Sequence, residues 1–189
     1  MLTEKVKAVK IIYKELESEV VVFKGKSKIS CMKGCSKCCM NNSIEATDLE
    51  FLPAAYELYR TSCSEEVLEK LDTNVEDRRC IFYNPFNENG GCTMYKHRGL
   101  ICRLFGFSLR ADKNGNPQLI ACQLIKNTAD KELLAKNIAT APFTTDYYFK
   151  LYGIDPDLAI RHYPINRAIR KAVELVMLYY NFKKPRKAS

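Results

Sequence analysis

The chain has 189 residues, which is enough for one domain with its own hydrophobic core. Its composition, 47% hydrophobic and 28% charged, is typical of folded globular proteins and excludes disordered and collagen-like chains. The net charge of +8 suits either an anionic partner such as a nucleic acid or a set of cysteines that bind metal as thiolates, and we favour the second explanation.

The amino-terminal segment is predicted to be an amphipathic helix. Apolar side chains recur at alternating steps of four and three residues from Leu2 to Val20, which predicts a helix over 3–24 that stops at Gly25. No stretch of the sequence is long and apolar enough to cross a membrane, and the first residues lack the apolar core of a signal peptide. We therefore expect a cytoplasmic protein with no membrane partner.

Two more helices are predicted before residue 80. The Thr-x-x-Glu capping-box pattern at 47–50 predicts a helix that runs through about Arg60 and that Pro53 is expected to kink. Ser64 is expected to begin a third, acidic helix that ends near Asn74.

The middle of the chain changes to short strand-like runs. The runs at 80–83 and 92–95 flank a turn-rich linker and predict one β-hairpin, and those at 105–111 and 118–122 predict a second. Helical patterns then return over 128–182.

The cysteines are the strongest functional signal in the sequence. All nine lie between Cys31 and Cys122, and their odd number in a chain without an export signal argues against a disulfide framework and for metal binding. The two-residue gap between Cys35 and Cys38 lets both sulfurs reach one ion. Cys39 follows directly, and in extended backbone it would point away from Cys38, so we expect the two to serve different positions.

Downstream cysteines bring the candidate set to eight, which is enough for two four-cysteine sites. The candidate metal ligands are Cys31, Cys35, Cys38, Cys39, Cys80, Cys92, Cys102 and Cys122. Thiolates suit both Zn²⁺ and iron–sulfur clusters, so the sequence leaves the metal open, with a slight preference for iron–sulfur. We expect Cys63 to be a buried or free thiol and His97 to be a surface residue, although a ligand role for either stays open.

The predicted fold class is α+β. We expect a predominantly helical single domain over 1–189, with two small β-hairpins and irregular cysteine-bearing loops around a metal centre. The metal-binding core would cover about 31–122, between flanking helices at 3–24 and 128–182.

The cysteine pattern resembles the YkgJ-type cysteine-cluster family, a zinc- or iron-chelating domain. That family opens with Cys-x-x-Cys-x-x-Cys-Cys and continues with Gly-Cys-x-x-Tyr-x-x-Arg-Pro-x-x-Cys-Arg, to which 31–39 and 91–103 correspond here. The chain departs from the pattern by having three residues in the first gap and Gly99 in place of the usual proline. The resemblance covers about 31–122 and implies metal chelation. Some relatives are labelled flagellin lysine methylases, but the sequence has no glycine-rich nucleotide loop, and we do not transfer that activity.

Two residues near the cysteines are candidates for cofactor binding. Arg103, directly after Cys102, is a candidate donor to sulfur or to a carboxylate, and Tyr95 is a candidate hydrophobic lid. Basic residues near the cysteines are expected to lower thiol pKa values and to balance a negative centre. They are Lys33, Lys37, Arg78, Arg79, Arg98 and Arg103.

The sequence predicts a metal-chelating cysteine-cluster protein that holds an iron–sulfur cluster or zinc, with a redox or cluster-dependent role. The alternative is a structural zinc module that presents a surface to a protein or nucleic-acid partner. Direct nucleic-acid binding is the weakest option and rests on the aromatic and basic residues at 179–184. Known catalytic motifs are absent from the sequence, so whether the protein is an enzyme stays open.

Overall fold

The structure is a computed structural model that describes residues 1–31, 35–73, 79–84, 86 and 91–183. Its helices are α1 (Leu2–Ser27), α2 (Asp48–Arg60), α3 (Ser64–Thr73), α4 (Leu100–Leu104), α5 (Gln123–Thr128), α6 (Lys131–Asn137), α7 (Thr144–Tyr152), α8 (Pro156–Ala159) and α9 (Ile165–Lys183). Its strands are β1 (Glu45–Thr47), β2 (Ser108–Ala111), β3 (Pro117–Ile120) and β4 (His162–Pro164), and 3-10 turns cover Tyr95–His97 and Ile138–Thr140. Helices dominate and the strands form two small antiparallel pairs, which confirms the α+β class. None of the helices in the described ranges has the length and apolar character needed to span a lipid bilayer.

The first helix is longer than the sequence predicted, because it continues through Gly25. It ends at Ser27, whose hydroxyl donates to the carbonyl of Phe23 at 2.7 Å. Lys28 then adopts the left-handed conformation, with φ 55° and ψ 14°, and its N–H donates to the carbonyl of Lys24. Phe23 is fully buried, so packing extends the helix past the glycine. The prediction that Gly25 stops the helix is therefore wrong.

The predicted capping box at the start of α2 is confirmed. The Thr47 hydroxyl accepts from the N–H of Glu50, and the Glu50 carboxylate accepts from the N–H of Thr47 at 2.7 Å. The helix continues through Pro53 as far as Arg60. Every residue from 48 to 55 is buried, so α2 is the central helix of the fold.

The hydrophobic interior consists of two cores of different size. The larger core joins α2 to α1, α4, α7 and α9, and its fully buried members include Leu16, Leu49, Leu52, Leu100, Leu151 and Val176. The smaller core lies beside β2 and α5 and contains Phe23, Ile29, Leu109, Ile125 and Ala141. The cysteine-bearing segments pack against both cores.

The strands join parts of the chain that are far apart in sequence. β1 pairs antiparallel with β4, with Ala46 opposite Tyr163, and the sequence did not predict this pairing. β2 and β3 form the second predicted hairpin. Among the described residues of the first predicted hairpin, Tyr83 and Cys92 form an antiparallel bridge, and the N–H groups of Cys80 and Ile81 donate to other segments.

Candidate metal centre

The first cysteine cluster forms a turn. The N–H of Cys39 donates to the carbonyl of Ser36 at 2.8 Å, and the N–H of Asn41 donates to the carbonyl of Cys38 at 3.3 Å. Neighbouring side chains in a turn need not point to opposite faces, and the Cys39 thiol donates a hydrogen bond to the sulfur of Cys38. The prediction that these two cysteines point apart assumed extended backbone and is therefore wrong.

Backbone hydrogen bonds join this turn to the later cysteines. The N–H of Cys80 donates to the carbonyl of Cys39 at 3.1 Å. Tyr83, three residues after Cys80, then forms the bridge with Cys92. Three segments that are distant in sequence are thereby held side by side.

Gly91 allows the Cys92 segment to lie directly against the first cluster. A Cβ atom on Gly91 would lie 2.2 Å from the Cβ of Ser36, which is far inside van der Waals contact. The carbonyl of Gly91 also accepts from the N–H of Asn84 at 2.7 Å. A glycine is therefore required here by the close approach of two segments.

Three of the thiols are joined by hydrogen bonds. The Cys39 thiol is within hydrogen-bonding reach of the sulfurs of both Cys38 and Cys92, and its one S–H serves one of them at a time. These bonds lower the pKa values of Cys38 and Cys92 below the ordinary thiol value, and they raise the pKa of Cys39. Thiolate character is thereby favoured at Cys38 and Cys92, and the thiolate is the form of cysteine that binds metal.

Two more thiols lie deeper, beside these three. Cys80 is 7% exposed, and burial raises its pKa to about 12, with repulsion from Cys92 and Cys38 adding to the rise. Cys102 is in α4, and burial followed by repulsion from Cys80 raises its pKa well above the ordinary value. Charge effects of this kind require sulfurs that are close together. We call this group the inner thiols: Cys38, Cys39, Cys80, Cys92 and Cys102.

We call the other three candidate ligands the outer thiols: Cys31, Cys35 and Cys122. The pKa of Cys31 is raised by partial burial and by repulsion from Cys35, Cys38 and Cys122, and its thiol is hydrogen bonded to Cys35. Cys122 precedes α5 and packs against the smaller core, whereas four of the inner thiols pack in or against the larger core. Charge effects thus connect Cys31 with Cys35 and Cys122 and, among the inner thiols, with Cys38.

Arg98 is a cation that acts on three of the inner thiols. Its charge lowers the pKa of Cys38 and Cys92, after the larger effect of the thiol hydrogen bond, and opposes the burial that raises the pKa of Cys102. Its guanidinium carbon lies 3.8 Å from the centre of the Tyr95 ring. Tyr95 is 57% exposed, so it supports Arg98 at the rim and does not form the buried lid that we expected.

Arg103 holds the turn that carries Arg98. Its Nε donates to the carbonyl of Arg98 at 2.9 Å, and its Nη2 donates to the carbonyl of Lys96 at 2.7 Å. The buried guanidinium also lies over the ring of Tyr13 and forms an ion pair with Glu17 of α1. Arg103 thus donates to a carboxylate, which is one of the two kinds of acceptor expected from the sequence. Through its bonds to the backbone it also positions the turn that carries Arg98.

Glu50 is a buried carboxylate beside the centre, and sequence reasoning treated it only as part of the capping box. Its second oxygen accepts from the N–H of Ile101 at 2.8 Å, at the start of the helix that carries Cys102. Burial raises its pKa to about 7, against the N–H donors of Ile101 and Thr47, which lower it. The sequence held a signal for this residue, because Glu50 is the one charge in the otherwise apolar run 49–55.

The donor set fits a thiophilic metal. Zinc and iron–sulfur clusters both bind cysteine thiolates, and Cys39 lies within hydrogen-bonding reach of the thiols of Cys38 and Cys92. Across the described ranges, no group of three Cys, His, Asp or Glu side chains is already arranged to hold a metal ion. Metal binding would therefore require the thiols to exchange their hydrogen bonds for bonds to metal.

Two neighbouring residues lie apart from this set. The thiol of Cys63 donates to the carbonyl of Thr61 at 3.4 Å, in agreement with the expected free thiol. His97 is half-buried, which lowers its pKa, and it faces Glu57 and Lys10.

All nine cysteines are described and none forms a disulfide. Of the predicted basic neighbours, Lys33 and Arg78 lie outside the described residues.

Comparison with known proteins identifies the family of this chain. The family model CxxCxxCC, described as "Putative zinc- or iron-chelating domain", matches residues 30–133, which is more than half of the chain. No curated protein and no solved structure matches it. The matched range includes all eight candidate ligands and confirms the resemblance seen in the cysteine spacing. The chain therefore belongs to the CxxCxxCC family of zinc- or iron-chelating domains.

Proposed function

We propose that this chain binds an iron–sulfur cluster through its inner thiols and that it has a redox or cluster-dependent role. The observation that carries the proposal is the convergence of five cysteines, from four segments of the chain, around Cys38. The family description supports chelation of zinc or iron and does not choose between them.

Zinc and a cluster require different separations of their thiolate ligands. Four thiolates around one zinc ion converge on a single point. The ligands of a cluster surround a core of several iron and sulfur atoms, so their own sulfurs lie further apart. Cys39 is within hydrogen-bonding reach of Cys38 and Cys92, and no three side chains surround one ion within the part of the chain that the structure describes. Binding of a cluster would therefore move these sulfurs apart.

The electrostatic surroundings also suit an anionic centre. The Arg98 charge favours the thiolate forms of Cys38 and Cys92. Thiolates and bridging sulfides together carry negative charge, which nearby cations stabilise. The +8 charge of the protein without metal offsets the negative charge of eight thiolates.

The decisive experiment is anaerobic purification followed by a visible spectrum and by assays for iron, acid-labile sulfide and zinc. We expect a brown protein with iron and sulfide in near-equal amounts. The Cys38→Ser and Cys92→Ser variants should lose most of both, whereas Cys63→Ser should retain them. The last variant is a matched control, because Cys63 packs against the larger core away from the thiol hydrogen bonds. A colourless, sulfide-free protein that resists cluster reconstitution would contradict the proposal.

A structural zinc module is the second candidate, and the local structure of the cysteine segments favours it. The described residues 35–44 and 79–84 form turns and one bridge, held by a few long-range hydrogen bonds. A closed zinc site would stabilise such segments, because its binding energy is folding energy. Zinc-loaded protein should then protect these segments from hydrogen exchange and lose that protection in chelator. Equal protection with and without zinc would contradict this candidate.

The zinc module would present its surface to a protein or nucleic-acid partner. Binding to single-stranded RNA should then weaken steeply as salt increases, because phosphate contacts release counterions. If no RNA binds at low salt, the partner of the zinc module would have to be a protein, and that is the version to test next.

A further inference from the structure

Asn166 in the first turn of α9 lies far from the cysteines in sequence and outside the family match at 30–133. Its side-chain oxygen accepts from the N–H of Ile81 at 2.8 Å. Its side-chain nitrogen donates to the carbonyl of Arg79 at 2.8 Å. The two bonds therefore hold the backbone on both sides of one residue, Cys80.

This contact uses both ends of the asparagine amide. An amide presents one acceptor and two donors in a fixed plane, so it pairs with a backbone N–H and a backbone carbonyl at the same time. Aspartate would keep the acceptor for Ile81 and lose the donor to Arg79. Alanine would lose both and would leave two backbone groups beside the buried Cys80 without these bonds.

The start of α9 is itself held firmly in the fold. The N–H of Ile165 donates to the carbonyl of Ile44 at 2.9 Å, and Tyr163 pairs with Ala46 across the two strands. Ile165 is 3% exposed in the larger core. Asn166 therefore projects from a fixed support. The Cys80 segment, which it holds, is in turn bonded to Cys39 through the N–H of Cys80.

We propose that Asn166 is a positioning residue for Cys80 and that the carboxy-terminal helix is thereby part of the support of the metal centre. The inference rests on the proposed function. Groups that orient metal ligands through hydrogen bonds change metal affinity without touching the metal. The backbone on both sides of the Cys80 sulfur is held from α9, independently of any bond between the sulfur and a metal.

The test compares the wild type with Asn166→Ala, Asn166→Asp and Asn181→Ala in the metal-free, reduced full-length chain, with Co²⁺ as the probe. Asn181 is a matched control, because it lies near the exposed end of the same helix, where it accepts from Tyr59. Three quantities are measured: the affinity for Co²⁺, the cobalt–thiolate spectrum, and the free energy of unfolding without metal. We expect Asn166→Ala to lose about 10- to 100-fold in affinity, with an altered spectrum. We expect Asn166→Asp to lie between Asn166→Ala and the wild type, and Asn181→Ala to match the wild type.

Several outcomes would overturn the inference. The inference is wrong if Asn166→Ala binds Co²⁺ with wild-type affinity and spectrum. This holds even if the variant is less stable, because a purely structural role of Asn166 predicts lower stability with unchanged metal binding. If Asn166→Ala does not fold, Asn166→Asp decides, and wild-type affinity in that variant also removes the inference. A wild-type chain that binds neither Co²⁺ nor iron–sulfur removes both this inference and the proposed function, which separates that failure from the others.

Discussion

Gly99 occupies a position where the backbone suits proline and the surroundings exclude a side chain. Its φ of −62° lies in the range of proline, the usual residue of the family at this position. A Cβ atom on Gly99 would, however, lie 2.7 Å from Cζ of Phe51 and 3.0 Å from a carboxylate oxygen of Glu50. Both neighbours are buried. Packing against α2 therefore accounts for the glycine.

We predict that Gly99→Ala destabilises the metal-free protein by about 1–3 kcal/mol, because the added methyl group overpacks a buried contact. Gly25→Ala provides the control, since nothing lies within 4 Å of its added Cβ and it is inside α1. That substitution should stabilise the protein by about 0.5–1 kcal/mol. Denaturant unfolding measures both, and equal effects of the two substitutions would contradict the packing explanation.

The Glu50 carboxyl should make stability depend on pH. Burial raises its pKa to about 7 in the folded state, from an ordinary value of 4.5. Its stabilising contribution is therefore complete below the unfolded value and is lost as pH rises through about 7. Glu50→Gln resembles the protonated form, so the variant should gain up to about 3 kcal/mol relative to wild type between about pH 5 and about pH 8.

Denaturant unfolding of both proteins across this pH range gives the measurement. Glu66→Gln is the control, because Glu66 is exposed on α3 and pairs with Lys70. A Glu50→Gln variant that instead loses stability relative to wild type as pH rises would mean that the N–H donors outweigh burial.

At the scale of elements, the carboxy terminus of α1 ends on a residue in an unfavourable conformation. Lys28 has a φ of 55°, in the left-handed region that glycine adopts without strain. The helix end is fixed by the packing of Phe23 and the hydroxyl bond of Ser27, so the chain accepts this conformation at a lysine.

Replacing Lys28 by glycine should therefore stabilise the protein by up to about 1 kcal/mol. The same substitution at Lys26, inside the helix, should destabilise it by about 1 kcal/mol. Thermal unfolding of the two variants separates a backbone effect from the loss of a positive charge, since both remove one lysine. A fall in stability for Lys28→Gly would show that the left-handed conformation at Lys28 does not lower the stability of the protein.

The contact between Gly91 and Ser36 connects two cysteine segments, so it should control metal binding. In Gly91→Ala the Cβ clash would move the Cys92 segment away from the first cluster. We expect the affinity for Co²⁺ to fall by about tenfold or more. Gly115→Ala in the β2–β3 turn is a control without steric contact, although its φ of 83° adds strain there. Unchanged affinity in Gly91→Ala would mean that the two segments adjust independently.

At the scale of the whole molecule, metal binding is coupled to the protonation of the cysteine thiols. Burial and repulsion raise the pKa values of Cys80 and Cys102, so these thiols are protonated in the metal-free protein at neutral pH. Metal binding must therefore release protons.

We predict a release of more than about one proton per bound Zn²⁺ near neutral pH, with affinity falling as the solution becomes more acidic. Calorimetric titration in two buffers of different ionisation enthalpy measures the number. Release close to zero would show that the ligands are already thiolates and would contradict the pKa directions at Cys80 and Cys102.

The tyrosines near the end of α9 pack against other aromatic rings of the fold. The ring of Tyr180 stacks on Tyr59 at 5.1 Å and also contacts Tyr56 and Tyr179. Its hydroxyl is 3.0 Å from that of Thr3. Lys184 and the residues after it lie outside the described residues. An amphipathic helix therefore explains the described part of this run without a nucleic acid.

Local patterns predicted the elements whose signals are contained within a few residues. The capping box at 47–50, the start of α3 at Ser64 and the hairpin of β2 and β3 are all present as expected. They were predictable because caps, turn residues and apolar periodicity act between neighbours in sequence. The pairing of β1 with β4 was not predictable in this way, because three-residue strands far apart in sequence carry no local register signal.

The sequence by itself determined the family and the helical character of the chain, since these depend on residue type and spacing. Only the tertiary structure decided that Cys38 interacts with Cys80, Cys92 and Cys102, that the charge of Arg98 acts on Cys38, and that Asn166 bonds to the backbone on both sides of Cys80. Such relations depend on side chains from distant segments meeting in a packed interior, and no spacing along the chain specifies that meeting.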